Sequence, residues 1–202
     1  MESAREVHVT RFVLTGAPGA GKTAIALRLE RAGHRVVAEA ATDVIALEQA
    51  QGRAEPWTCP GFTERIVALQ RQREEQAGDA AGGCAAIFFD RSPVCTLALS
   101  RYAGLPVPAL LAAEVDRVVR DGVYARTVFF VRNQGFVEPT AARRISFADS
   151  LEFEDVHEQT YRELGFELID VPAGPLEWRA ALVLAAAGSR CLGSVPVRAR
   201  TS

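Results

Sequence analysis

Eight residues, Gly16-Ala17-Pro18-Gly19-Ala20-Gly21-Lys22-Thr23, constrain what this chain can fold into more than any other feature. Before them stands Val9–Thr15, a run rich in β-branched and aromatic residues. After them, Thr23–Arg31 carries Ala24, Leu27 and Leu29 among strong helix formers. The spacing G-x-x-x-x-G-K-T arises by chance in about one chain in a hundred of this length at average composition. Its place between a strand and a helix narrows it further. Glycines let the backbone turn and approach a ligand without Cβ clashes. Successive N–H groups then converge on an anion, and the helix that follows adds the positive end of its dipole. The expected cradle for a nucleotide's phosphates comprises Gly16, Ala17, Pro18, Gly19, Ala20, Gly21, Lys22, Thr23 and Ala24. Lys22 is expected to reach the outer phosphates of ATP or GTP, and the Thr23 hydroxyl to ligate Mg²⁺. The competing reading is a glycine-rich turn that happens to precede a helix.

The rest of the chain alternates short β-rich runs with longer helical ones. Strands are expected at Val9–Thr15, His34–Ala38, Ala85–Phe89 ending in Asp90, Thr127–Val131 and Phe166–Val171. Helices are expected at Thr23–Arg31, Thr42–Ala50, Phe62–Gln76, Pro93–Arg101, Pro108–Asp121, Phe147–Leu164 and Pro175–Ala187. Pro56–Gly61 and Gly78–Gly83 read as turns or loops. Five strands alternating with helices predict a three-layer α/β/α fold, a parallel sheet covered on both faces. A length of 202 residues suits one such domain. We assign it residues 1–187, with a lid segment at about 132–146. Residues 188–202 read as a flexible or peripheral tail.

Ligands of open α/β sheets bind beyond the carboxyl ends of the strands, so the residues there bear on function. Asp90 follows Ala-Ala-Ile-Phe-Phe, the usual shape of a metal-holding Walker B acid, and also stands where it could cap the helix near Pro93. Arg91 and Ser92 complete an acid-Arg-Ser triplet similar to that of nucleoside and nucleotide kinases, where the arginine lies near the reacting phosphates. Arg91 is otherwise a plain surface residue. Glu39 ends the second expected strand, where a carboxylate can take a proton from an attacking hydroxyl or simply face solvent at a helix start. Asp43 reads as favouring that helix electrostatically. Arg132–Ile145, with Glu138, Pro139, Arg143 and Arg144, stands where small kinases carry a lid that closes arginines over the transferred group. Arg143 is the preferred candidate; a solvated basic loop is the competing reading. His8, His34 and His157 have no metal-ligand spacing and read as structural, and Trp57 and Trp178 as packing residues.

Several stretches together resemble one family. Phe12-Val13-Leu14-Thr15 before the loop and Gly33-His34-Arg35-Val36-Val37-Ala38-Glu39-Ala40-Ala41-Thr42-Asp43-Val44-Ile45 after it carry the likeness. Phe88-Phe89-Asp90-Arg91-Ser92, Arg143-Arg144 and Tyr161-Arg162-Glu163-Leu164-Gly165-Phe166-Glu167-Leu168-Ile169 extend it over residues 9–172. The sequence resembles the AAA-type ATPase/kinase family grouped with the NadR C-terminal domain. That resemblance implies a kinase-like sheet ordered 2-3-1-4-5 and binding of ATP or GTP. Its members include ribosylnicotinamide kinases and a GTP- and phospholipid-binding module of animals.

Two functions follow. The first is a Mg²⁺-dependent kinase moving the γ-phosphoryl group to a nucleoside-like or other small acceptor. Lys22, Glu39, Asp90, Arg91 and Arg143 would be catalytic, and Thr23 and Asp90 would hold the metal. The second is a nucleotide-dependent binding module or slow NTPase engaging a protein or anionic lipid, weakly favoured by the three arginines and absent acids after Gly188. A net charge of −2 and a pI near 6.0 disfavour a nucleic-acid surface. No apolar run nears the roughly 20 residues of a membrane span, and the first fifteen residues show no signal-peptide core. A cytoplasmic protein is expected. Cys59, Cys84, Cys95 and Cys191 show no paired spacing and read as reduced, small buried thiols.

Overall fold

The computed structural model describes residues 9–78, 86–135 and 146–193, with side chains through Arg190. Strands are Thr10–Thr15 (β1), Arg35–Val37 (β2), Ala86–Asp90 (β3), Thr127–Val131 (β4) and Glu167–Val171 (β5). Helices are Lys22–Arg31 (α1), Ala40–Ala50 (α2), Phe62–Ala77 (α3), Pro93–Tyr102 (α4), Ala109–Arg120 (α5), Phe147–Glu163 (α6) and Leu176–Gly193 (α7). A single 3₁₀ turn at Pro56–Thr58 occupies the expected turn region. The strands form one parallel sheet in the order β2-β3-β1-β4-β5, with Phe12 opposite Phe88 and Val13 opposite Val128. That order is the one the family resemblance implies.

Alternation along the strands divides two cores, because successive side chains leave opposite faces of a sheet. Phe12, Leu14, Phe88, Phe129 and Val131 meet Ile25 and Leu29 of α1 and Val183 of α7. Val13, Ile87, Phe89 and Val128 face the other way, toward Val67, Val94, Leu111, Val115 and Tyr161. Neither face sees water, which is why β3 and β4 read as continuous apolar runs. Phe12 anchors the first core, its ring centroid 5.8 Å from Phe88 and 5.5 Å from Phe129. A smaller cluster of Ala40, Val44, Phe62 and Ile66 joins α2 to α3 beside the sheet.

One expectation changes. The last helix runs past Ala187 to Gly193, since neither Gly188 nor Ser189 brings a stop signal strong enough to end an alanine-rich helix. Trp57 and Trp178, expected as packing residues, pack at the surface rather than in the core; they are 37% and 48% exposed, and Trp178 lies over Gly174. Of the four cysteines, Cys95 is buried and Cys59 half-buried, both free; Cys84 and the side chain of Cys191 lie outside the described residues. No helix among the described residues is long and apolar enough to cross a membrane.

Candidate functional site

The chain steps from β1 over β3 to reach β2, and from β3 over β1 to reach β4. The carboxyl ends of β1, β3 and β2 therefore open onto one crevice, the place where α/β sheets take their ligands. Residues 16–21 turn tightly there between β1 and α1. Gly16 has φ 125° and Gly21 φ 90°. A Cβ on Gly16 would collide with the Val131 carbonyl oxygen, so the loop can lie against the end of β4 only with glycine at that position. Gly21 is the N-cap of α1, and with no capping side chain the first-turn amides remain available to a ligand.

Lys22 is 5% exposed and folds back over its own loop. Its Nζ donates to the carbonyl oxygens of Gly16 at 2.9 Å and Ala17 at 2.7 Å. Burial, helped by the nearby Arg91 charge and opposed by Asp90 and Glu39, lowers its pKa to about 7. Among the described residues, the ammonium's hydrogen-bond partners are neutral carbonyl oxygens. Thr23 Oγ1 donates to Asp90 Oδ2 at 2.8 Å, which brings the two expected metal ligands together. Asp90 is 3% exposed, and its Oδ1 has no hydrogen-bond partner. Burial raises its pKa, against the pull of Lys22. An orphaned carboxylate oxygen beside a hydroxyl fits a hard cation such as Mg²⁺. Among the described residues no three His, Cys, Asp or Glu gather to enclose a metal. A cation here would draw its remaining ligands from phosphate oxygens and water, the habit of Mg²⁺. The N-cap of α4 is Ser92, so Asp90 is released from the alternative capping role.

Arg91 has φ 80°, a left-handed conformation costly for any residue but glycine. Its N–H donates to Leu14 O at 3.1 Å, and its guanidinium makes an ion pair with Glu39. Burial works most strongly against the Arg91 charge, but Glu39 together with Cys95, Asp90 and Tyr161 more than offsets it and raises the pKa, so the guanidinium stays charged. Glu39 also accepts from Thr42 Oγ1 at 3.0 Å. Arg73 of α3 holds the turn beneath, donating to the carbonyls of Ala38 at 3.1 Å and Glu39 at 2.7 Å while pairing with Asp43.

Two residues of α6 support this segment from behind: Tyr161, which carries part of the family resemblance, and His157, expected to be structural. The Tyr161 hydroxyl, fully buried, lies 2.6 Å from Ser92 Oγ and 3.2 Å from Cys95 Sγ, and Thr15 Oγ1 lies 3.2 Å from the same sulfur. His157, one turn earlier, is fully buried; its Nδ1 lies 3.1 Å from Phe153 O and its Nε2 has no partner. Burial and the Arg91 charge lower its pKa to about 3. Of the expected lid, residues 132–135 and 146 are described. Arg132 is held by Glu154, Glu158 and Asp170 and stacks on Phe130 at 4.4 Å. Glu138, Pro139, Arg143 and Arg144 lie outside the described residues. Arg179 of α7 is a further residue the sequence did not suggest; it donates to Ala20 O in the loop at 2.9 Å. Its partner is far away in sequence, and no motif marks it.

A family model described as an AAA domain matches residues 11–179. Among solved structures, deoxyadenosine kinase from M. mycoides with products dCMP and dCDP bound aligns with 89% of this chain and 100% of its own, at TM-score 0.56 and 14% identity. NadR in complex with NR aligns with 96% of this chain and 53% of its own, at TM-score 0.64 and 14% identity. Thymidylate kinase from Ehrlichia chaffeensis gives 88% and 98%, at TM-score 0.56 and 12% identity. At such identities the likeness is one of fold. No curated protein sequence matches this chain.

Proposed function

This chain belongs to the AAA domain family, and from that premise we propose that it is a small-molecule kinase moving the γ-phosphoryl group of ATP or GTP to the hydroxyl of a nucleoside-like acceptor. The observation that supports this reading best is one crevice holding three charged sets: Lys22 on the loop, Thr23 with Asp90, and Arg91 with Glu39. A module that only bound nucleotide would need the first two. The third places a carboxylate and a guanidinium on neighbouring strand ends, the pair that proton removal and charge stabilisation require.

In this reading Lys22 exchanges the Gly16 and Ala17 carbonyls for phosphate oxygens, and anionic partners keep it protonated. Asp90 and Thr23 hold Mg²⁺, which supplies charge neutralisation on the phosphates. Glu39 accepts the proton of the acceptor hydroxyl, and Arg91 carries the developing charge. We assign Arg143 a similar role from the sequence alone. Catalysis is then positioning and electrostatics, with no covalent protein intermediate.

The test has two parts. Melting temperatures with ATP, GTP and a nucleoside panel, each with Mg²⁺, should rise for the true pair by mass action. Glu39→Gln should then bind the triphosphate as before while losing transfer to the acceptor. A Glu39→Gln protein with full transfer activity removes Glu39 from the role of base; triphosphate hydrolysis without any acceptor favours the slow NTPase.

A further inference from the structure

Arg179 projects from the first turn of α7 into the back of the phosphate loop and is 3% exposed. Its Nη1 donates to Ala20 O at 2.9 Å and its Nη2 to Arg132 O at 3.0 Å, at the end of β4. The Gln134 amide, turned so that its oxygen faces the guanidinium, accepts from both nitrogens as well. Every partner is thus a neutral oxygen. Among the described residues no carboxylate lies within ion-pair distance of Arg179, whereas of the other buried or half-buried arginines of the site Arg91 faces Glu39 and Arg132 faces Glu154, Glu158 and Asp170. Burial without a countercharge lowers the Arg179 pKa.

A buried guanidinium with only carbonyls around it is costly unless something else supplies the negative charge. Its position says what that is, because the other side of Ala20 and Gly21 is the anion cradle. The contact is also tight: a Cβ on Gly21 would come within 2.9 Å of Arg179 Nη1. The last glycine of the motif therefore makes room for the arginine behind the loop as well as for a ligand in front of it. By holding the Ala20 carbonyl, Arg179 keeps that oxygen turned toward α7 and out of competition with an anion for the loop's N–H groups. The second bond fixes the loop to the strand end from which the expected lid segment departs.

We propose that Arg179 is a positioning residue for the nucleotide's phosphates, holding the loop in its anion-binding shape and supplying the uncompensated positive charge that a bound triphosphate completes. This rests on the reading of Gly16–Thr23 as the triphosphate cradle. It acts on the donor and leaves the acceptor side, Glu39 and Arg91, untouched.

Calorimetric titration with Mg·ATP and Mg·GTP tests it on the full chain, together with the KM for donor and for acceptor. Arg179→Met keeps the bulk and loses charge and donors; Arg179→Lys keeps the charge and a group with three N–H donors; Arg179→Gln keeps an amide with two N–H donors and loses the charge. The expected order of triphosphate affinity is Arg, Lys, Gln, Met, with Arg179→Met weaker than wild type by about tenfold or more and the acceptor KM unchanged. Should Arg179→Met not fold, the comparison of Lys with Gln carries the test, since only Lys keeps the charge. The proposal is overturned if Arg179→Met binds the triphosphate within twofold of wild type, if Lys is no better than Gln, or if donor and acceptor KM rise together. Lys22→Ala is the control that separates the two readings. Affinity lost in Lys22→Ala but kept in Arg179→Met sinks this inference alone, while affinity undiminished in Lys22→Ala sinks the cradle and this inference with it.

Discussion

Lys22 shows how a buried charge records the ligand it lacks. With a pKa lowered to about 7, part of the free protein's Lys22 is neutral at neutral pH, whereas the triphosphate-bound protein holds it charged. Binding therefore takes up a proton. Triphosphate affinity should be level below pH 7 and fall as pH rises above it, which titrations in buffers of different ionisation heat would reveal. The sign for folding is the reverse. Between about 7 and the unfolded value of 10.5 the unfolded chain binds the extra proton, so Lys22 adds stability to the free protein as pH rises through that window. Gly16→Ala meets both a positive φ and the Val131 carbonyl, and a loss of about 2 kcal/mol or more is expected in denaturant unfolding.

At the scale of elements, α6 is the brace of the site. Its inward residues reach α4 and the end of β1 through the Tyr161 hydroxyl, and this holds Ser92 next to the strained Arg91 backbone. Tyr161→Phe keeps the ring against Phe166 but leaves Ser92 and Cys95 short of a partner. A loss of about 1 kcal/mol in denaturant unfolding is expected, with a lower kcat and an unchanged donor affinity. His157 lies in the same helix and is held neutral by burial. Because the unfolded imidazole takes a proton near 6.5 and the folded one near 3, stability contributed by His157 is present above pH 6.5 and lost as pH falls toward 3. Urea unfolding from pH 7 to 4 should show this slope, and His157→Phe should flatten it.

For the whole molecule, what could be read from the sequence was local and what could not was distant. The strands announce themselves because burial on both faces leaves β3 and β4 wholly apolar. The loop announces itself because its glycines, lysine and threonine are contiguous. Glu39 and Arg91, 52 positions apart, came together because strand-end geometry says where ligands sit. Arg179 and Ala20 are separated by 159 positions, and Tyr161 and Ser92 by 69. No periodicity or spacing encodes such contacts; they exist only once α7 and α6 have packed against the sheet. The place where Trp178 packs was equally hidden, since residue type predicts burial on average but does not say that this ring covers the glycine turn before α7.

The Lys22 ammonium and the backbone N–H groups of the loop from Gly16 to Ala24, all but Pro18, are held to grasp a polyphosphate. Equilibrium titration of wild type and Lys22→Ala with Mg·ATP and Mg·GTP tests it most directly. The account predicts saturable binding by the wild type and a loss of a hundredfold or so in the variant, about 3 kcal/mol, with melting temperature in the absence of nucleotide preserved or raised. Equal affinity in the two proteins would contradict it.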